Sequence, residues 1–460
     1  MADVEYYDDL LRRVFAGSKL IICADVLVAA GAYAKQFAKF GAQRPFVIAG
    51  TEGTGELPVE DDCEWVVLNT GRGSMMENIR AFERALTDLP GDVLAKLDAY
   101  DPGREAIVTG GAISFDGVMW GRRTFGGRPQ AWNHLEDKLI LHELLDAAGI
   151  ERTPCEIVPA ADDALRAAAR LLDRGLGTAW AADNREGWWG GAQYLRWVRT
   201  EDDADEAVSF FGAHCDRVRV MPFLDGVPCS IHGMVFADDV IAFRPVEMIT
   251  LRRSSANRLC YAGLATYWDP PEADREYMRD AARKLGAVLR DRVNYRGVFT
   301  LDGVMTAEGF RPTEMNPRAG AGVNPQAAAA GVSIGLLSRL AREDDDFDLR
   351  PRELEALVVE AADANRRGGC YTVIEQTRTE SELIAVRSEP SFRLAEDGEE
   401  PDGHIRLGPS GVGGFAGYQP VEKRVVPGPS FAPTAVRAFA FTDEQYGTRL
   451  GPLEAAPAVR

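Results

Sequence analysis

Asp302, Glu314, Asn316 and Arg318 fall within one short stretch of the chain, YRGVFTLDGVMTAEGFRPTEMNPRAGAG at 295–322. Two runs in it alternate as strands do, 297–305 and 310–315, and Ala307, Glu308 and Gly309 supply a turn between them. Antiparallel pairing across that turn sets Asp302 opposite Glu314, with Asn316 two places on and on the same face. Two carboxylates and an amide oxygen then converge. That donor set suits magnesium, a hard cation that takes few protein oxygens and completes its octahedron with water and phosphate. Arg318 follows on a loop loosened by Gly320 and Gly322. Its fixed, forked charge suits a phosphate, or a carboxylate being phosphorylated. Taken singly, each of these residues fits the solvated face of an ordinary hairpin. The set, followed by an Ala-rich helix predicted at 325–340, marks a site.

The elements that must position this hairpin can be read on either side of it. Residues 1 to about 130 form a small α/β unit: strands at 18–24, 45–50 and 64–70, helices at 29–40 and 75–89, and hence a parallel sheet. GTEGTG at 50–55 lacks the lysine of a phosphate loop and reads as a turn, and Ser74 is an N-cap candidate for the helix that follows. A Gly/Arg-rich segment at 121–129 leads to a helix at 133–148 closed by Gly149. After a helix at 162–174, residues 177–198 have the layout of strand, Gly-rich loop, strand, and such a loop can bring backbone N–H groups close to a triphosphate. Trp188 and Trp189 in that loop could cap a ligand, although packing between sheets is the commoner fate of such a pair. Arg244, Glu247, Arg252 and Arg253, on a strand at 243–253, would either face a cleft on one side or the other, where paired arginines hold an acidic substrate, or line a solvated strand edge. Residues 257–270 read as a loop over the site, 272–293 as a helix returning to the hairpin, and the glycine-rich 408–418 as a turn-rich surface.

The ExNPR string (Glu314, Asn316, Arg318) after the acidic strand of Asp302 resembles the metal-binding end of the ATP-grasp superfamily, the carboxylate–amine ligases. That resemblance implies an α/β chain of three parts. The expected domains are a parallel-sheet lead domain at 1–130, an ATP-grasp core at 131–345, and an additional C-terminal α+β domain at 346–460. The core comprises two α+β halves, one covering the nucleotide at about 155–230 and one binding metal at about 231–345. It implies ATP and Mg2+ as cofactors, with Asp302, Glu314 and Asn316 holding the metal and Arg318 facing the reacting groups. Lys138, in the Asp-Lys pair of the entry helix, would contact the nucleotide, as would Arg185, Gly187, Gly190 and Gly191 of the covering loop. Backbone groups of Met221, Phe223 and Leu224 would receive adenine. The family's lysine on the strand before the loop is replaced by Trp180, Ala181 and Ala182, so either Arg185 or Arg196 supplies that charge or nucleotide binding is weaker than usual. The acidic residue often found at the adenine hinge is missing as well.

Within the superfamily the arrangement is similar to peptide ligases of actinobacterial natural-product pathways, of the pheganomycin type. The implied reaction joins a carboxylic acid, an unusual amino acid, to an amine or peptide N-terminus through an acyl phosphate. Activation of bicarbonate or another small acid, and non-catalytic nucleotide binding, stay open as alternatives.

Composition narrows the partners. A net charge of -19 over 460 residues argues against nucleic acid, since a polyanion is bound through basic patches. No run is long and apolar enough for a bilayer, and the acidic start MADVEYYDDLLRR is not a leader, so the expected location is the cytoplasm with no membrane partner. Seven scattered cysteines without a CxxC fit reduced thiols. The expected partners are small-molecule acid and amine or peptide substrates, with a homodimer among the assemblies allowed.

Overall fold

Strand β1 (Leu20–Val26) is buried for most of its length, as expected of a parallel strand covered on both faces. It pairs in parallel with β2 (Phe46–Thr51) and β4 (Ile107–Gly110), and β3 (Glu64–Val67) completes the order β3-β2-β1-β4. Helices α1 (Val4–Phe15), α2 (Ala30–Ala38), α3 (Met75–Thr87) and α4 (Gly91–Tyr100) accompany this sheet, with a two-residue hairpin of β5 (Val118–Met119) and β6 (Arg122–Arg123). The structure is a computed structural model that describes residues 3–71, 73, 75–110, 114, 117–187, 192–253, 258–343, 347–410 and 413–457. Ser74, Trp188, Trp189, Gly190 and Gly191 lie outside the described residues.

The chain forms two compact units. One is Met1–Asn133 with Gly331–Leu354 and Pro409–Val412; the other is His134–Ala330 with Glu355–Gly408 and Gly413–Arg460. The helix expected at 325–340 is therefore two. Gly331 takes a left-handed φ of 69° and ends α9 (Val323–Ala330), and α10 (Ile334–Leu340) joins the first unit, where Arg339 donates to Thr109 Oγ1 at 2.6 Å.

In the second unit the helix α5 (Leu141–Ala148) starts later than the apolar period suggests. The carboxylate of Asp137 caps Leu139 N at 2.9 Å, and Lys138 sits in a 3-10 turn ahead of the α-helix proper. A four-stranded antiparallel sheet follows, of order β7-β10-β8-β9: β7 (Glu156–Pro159), β8 (Thr178–Ala182), β9 (Leu195–Val198) and β10 (Arg217–Pro222). Helices α6 (Asp162–Leu172) and α7 (Glu201–His214) cover it, around a core of Leu165, Trp180, Phe211, Val218 and Val220. Burying each such side chain contributes about 1.5–3 kcal/mol.

The large sheet comprises β11 (Val227–Val235), β12 (Val240–Ala242), β13 (Val246–Arg253), β14 (Arg258–Ala265), β15 (Gly297–Thr306), β16 (Gly309–Asn316), β17 (Gly368–Ile374), β18 (Glu382–Arg387), β19 (Arg393–Leu394), β20 (Gly403–Ser410) and β21 (Gly413–Pro420). Its order is β16-β15-β11-β13-β14-β17-β21-β20-β18-β19, with β12 paired to β11. Helix α8 (Glu272–Val293) spans the residues expected and buries Met278, Ala282, Leu285 and Leu289. After α11 (Pro351–Ala364), the C-terminal strands join this sheet through the pairs Gly263↔Cys370, Leu264↔Gly369 and Ala265↔Gly368.

Residues 258–265 are thus a strand, not a loop, and 413–418 are a strand, not a turn-rich surface. Glycine explains both differences. At Gly263 (φ 111°) an added Cβ would lie 2.6 Å from Gly369 O, and at Gly417 one would lie 2.6 Å from Cys370 O, so these glycines serve close backbone packing, not turns. Helix α12 (Ala432–Tyr446) closes the core face, its start held by Glu247, which accepts from Phe431 N at 2.6 Å, Ala432 N at 3.0 Å and Ser430 Oγ at 2.6 Å. No helix among the described residues is long and apolar enough to cross a membrane.

Candidate functional site

The hairpin β15–β16 pairs as the alternation requires: Asp302 faces Glu314 and Thr300 faces Asn316, with a bulge after Asp302 where Gly303 meets Pro312. On the other side β15 pairs with β11, which sets Ser230 opposite Asp302. The side chains then close into one cluster. Asp302 accepts from Ser230 Oγ and, at 2.9 Å, from Asn316 Nδ2. Asn316 Oδ1 accepts from Lys138 Nζ at 2.9 Å and from Arg318 at 3.0 Å. Lys138 Nζ also lies 2.8 Å from Glu314 Oε1, and Arg318 lies 3.7 Å from the carboxylate of Glu136, which is 1% exposed.

Burial, reinforced by the nearby charge of Glu314, pushes Asp302 up to about 7 against the pull of Ser230, Lys138 and Arg318. Burial also opposes ionisation of Glu314, but Lys138, Arg318 and Asn316 together outweigh it and hold its pKa below the usual value. The same two cations thus hold Glu314 ionised but fall short of offsetting burial and the charge of Glu314 at Asp302. A divalent cation would relieve that imbalance. Among the described residues no group of three or more His, Cys, Asp or Glu gathers as a metal site, so the candidate donors are the two carboxylates and the Asn316 amide, few and all oxygen, as magnesium prefers.

The loop after Arg318 is pressed onto the sheet. Gly320 N donates to Thr300 Oγ1 at 2.8 Å, Thr300 Oγ1 donates to Arg318 O at 3.1 Å, and a Cβ on Gly322 would sit 2.5 Å from the ring of His232. His232 is fully enclosed, and burial lowers its pKa to about 3, so it is a neutral packing group there.

The residues expected at the nucleotide are dispersed. Arg185 bonds Asp216 Oδ1 at 3.0 Å and Ala213 O at 2.6 Å at the edge of the small sheet, and Arg196 lies over the Phe210 ring at 3.8 Å. Gly187 takes a φ of 99° in the turn after β8, its N–H bonded to Asn184 O at 2.8 Å. At the hinge, Met221 is paired to Ala179, the Phe223 N–H already donates to Gly177 O at 3.0 Å, and the Phe223 ring stacks on Trp197 at 4.1 Å. Leu224 is half-buried in the connection to β11. Arg244 and Glu247, expected at a cleft, are instead buried: Arg244 pairs with Asp269 and, at 2.8 Å, with Asp363, while Arg252 pairs with Asp225.

Arg219 was not singled out by the sequence, yet it reaches the cluster. It projects from β10, is 4% exposed, and donates to Lys138 O at 3.1 Å and Thr313 O at 2.7 Å. Its register partner is Ala181, one of the residues standing where a lysine was expected. The available signal was a charge inside the apolar run VRVM. Glu136, two residues before Lys138, was missed for want of any comparable mark.

No family model matches the sequence, and no curated protein matches it. Solved structures do. The ADP complex of an N5-carboxyaminoimidazole ribonucleotide synthetase aligns with a TM-score of 0.52 at 12% identity, over 94% of this chain and 98% of that one. The Aspergillus clavatus carboxyaminoimidazole ribonucleotide synthase complexed with ATP aligns at 0.53 and 12% identity, over 93% and 99%. Rhizobium etli pyruvate carboxylase aligns at 0.53 and 16% identity, over 93% of this chain but 37% of that one. The chain therefore has the ATP-grasp fold, a parallel lead sheet followed by a large antiparallel one.

Proposed function

We propose that the chain is an ATP-dependent ligase that forms an amide bond between a carboxylic acid and an amine through an acyl phosphate. The observation that carries this reading is the closure of Asp302, Glu314, Asn316, Arg318 and Lys138 into one hydrogen-bonded cluster. The fold, shared with structures described as ADP and ATP complexes, supports ATP as the phosphoryl donor.

Asp302, Glu314 and Asn316 would hold Mg2+, which when bound supplies charge neutralisation on the triphosphate. Lys138 and Arg219 bring further positive charge from the nucleotide side of the cluster, Arg219 in place of the lysine missing from β8. Arg318, anchored by Asn316 and Glu136, faces the oxygens of the acid. The γ-phosphoryl group passes to the acid's carboxylate, leaving ADP; the amine then attacks the acyl carbon, the bond to phosphate breaks, and the amine gives up a proton. The chain's contribution is positioning and electrostatic stabilisation, with no side-chain nucleophile required.

The finer reading is a peptide ligase of the pheganomycin kind, acting on an unusual amino acid and a peptide amine, in the cytoplasm. The site residues and the division at 1–130, 131–345 and 346–460 stand as part of this proposal. Mass spectrometry after incubation with ATP, MgCl2 and a mixture of amino acids and short peptides tests it: a product heavier by the acid less water, with ADP, is expected, and Asp302→Asn should abolish it. ADP release with small acids or bicarbonate but no larger acid would favour the alternative chemistry. Nucleotide binding without ADP release for any acid and amine would overturn the ligase reading.

A further inference from the structure

A cavity of about 590 Å³ opens between α9 and the strands β14, β17 and β21, lined among others by Asn324, Leu264, Arg367, Tyr371, Arg406 and Phe415. It lies on the same face of the same sheet as the cluster. In an antiparallel sheet, residues paired across strands share a face and so do alternate residues along one strand. Asp302 pairs with Ser230 and Ser230 with Val246; Met248, two residues on, pairs with Leu264, and Leu264 pairs with Gly369. Tyr371 follows two residues later and pairs with Gly417. The opposite face, with Cys370, Ile374, Ile405 and Ala416, is the buried core under α12.

This face is built to hold something. Tyr371 is 54% exposed, Val373 53% and Leu383 66%, and Tyr261 meets Tyr371 edge-on at 6.4 Å. Bare main chain at Gly369 and Gly417 lets a flat or extended ligand lie close. The charge here runs against the acidic balance of the chain. Arg367 is paired with Glu422 at 3.3 Å, yet its Nε is buried and donates to nothing among the described residues. Arg406, on the same face and exposed, has no acidic partner among them.

We infer that this cavity takes the amine substrate as a short unprotected peptide, its aromatic or apolar side chains against Tyr371 and Phe415 and its C-terminal carboxylate on Arg406 and Arg367. The inference rests on the ligase reading for which end reacts. A free peptide carries its amine and its carboxylate at opposite ends, and the sheet separates the two places that would receive them. Six strand spacings divide β15 from β20, which carries Arg406, and four divide it from β17, next to Arg367: about 29 Å and about 19 Å at 4.7–4.9 Å each. At 3.3–3.6 Å per extended residue, peptides of about six to eight residues span from the cluster to the two arginines.

The test uses the full chain in affinity selection by mass spectrometry, without ATP. The probes are libraries of hexa- to octapeptides, each with one aromatic residue, prepared as free acids and as C-terminal amides. Wild type should retain the acids about tenfold over the amides, the scale of one charge-assisted hydrogen bond, and Arg406→Gln, at an exposed position, should erase the preference. Equal retention of acids and amides, retention of neither, or an undiminished preference in Arg406→Gln would each overturn the assignment. Selective retention by a chain that makes no amide product would leave the cavity's role standing and sink the ligase reading instead.

Discussion

Replacing Lys138 with methionine keeps the length of the side chain and deletes its charge, at a position only 12% exposed. The ammonium makes two close contacts to acceptors of the cluster, Glu314 Oε1 at 2.8 Å and Asn316 Oδ1 at 2.9 Å. Charge-assisted hydrogen bonds contribute about 1.5–3 kcal/mol each, and the methionine avoids part of the ammonium's desolvation, so a net loss of about 2–4 kcal/mol is expected without metal. Magnesium should return part of it, because the vacated space between Glu314 and Asn316 suits a second cation. At tenfold over its dissociation constant a ligand adds about 1.4 kcal/mol. Urea titrations of wild type and Lys138→Met, each with and without MgCl2, measure this directly. The variant should unfold earlier without magnesium and gain more from it than wild type does. If the variant matches wild type, or if magnesium stabilises both equally, the cluster is not the cation site described above.

Other substitutions probe the frame around the cluster. Arg219→Met removes both carbonyl contacts to Lys138 and Thr313 and should cost about 2–4 kcal/mol; Arg219→Lys should not restore them, since one ammonium cannot reach both, and denaturant midpoints would show it. Glu247→Gln presents an amide N–H₂ to the donors of Phe431, Ala432 and Ser430 and should loosen α12 at a similar cost, seen as faster hydrogen exchange over 432–446. His232, with its folded pKa near 3 against about 6.5 unfolded, contributes stability that is complete above pH 6.5 and lost as pH falls toward 3. The unfolded state binds the extra proton there, so stability should drop by up to about 1.4 kcal/mol per pH unit from this residue. His232→Gln should flatten that slope in urea titrations between pH 6.5 and 4.

The hairpin was legible because its information is local: a two-residue period, a turn, and polar groups whose register follows from both. The long helix at Glu272–Val293 was legible for the same reason, its period being sustained over many turns. What escaped was carried by pairing between distant segments. Arg219 joins the cluster only because β10 brings it to Lys138 and Thr313; the apolar run around it marks a buried charge without saying what it meets. The strand at Arg258–Ala265 was hidden by Gly263 and by a register shift between Met248 and Thr250, each of which interrupts the alternation on which strand reading depends. Glu247 was read as facing a cleft because a buried carboxylate is rare unless partnered, and its partners lie more than 180 residues away.

The seam at Gly369 and Gly417 has an evolutionary consequence. A wall made of side chains can be retailored one mutation at a time, but this stretch is bare peptide, and any side chain there would collide with the adjoining strand. Relatives that came to accept different molecules would have to rewrite the rim, at Tyr371, Arg406 and Phe415, over a base that cannot be altered without separating the strands.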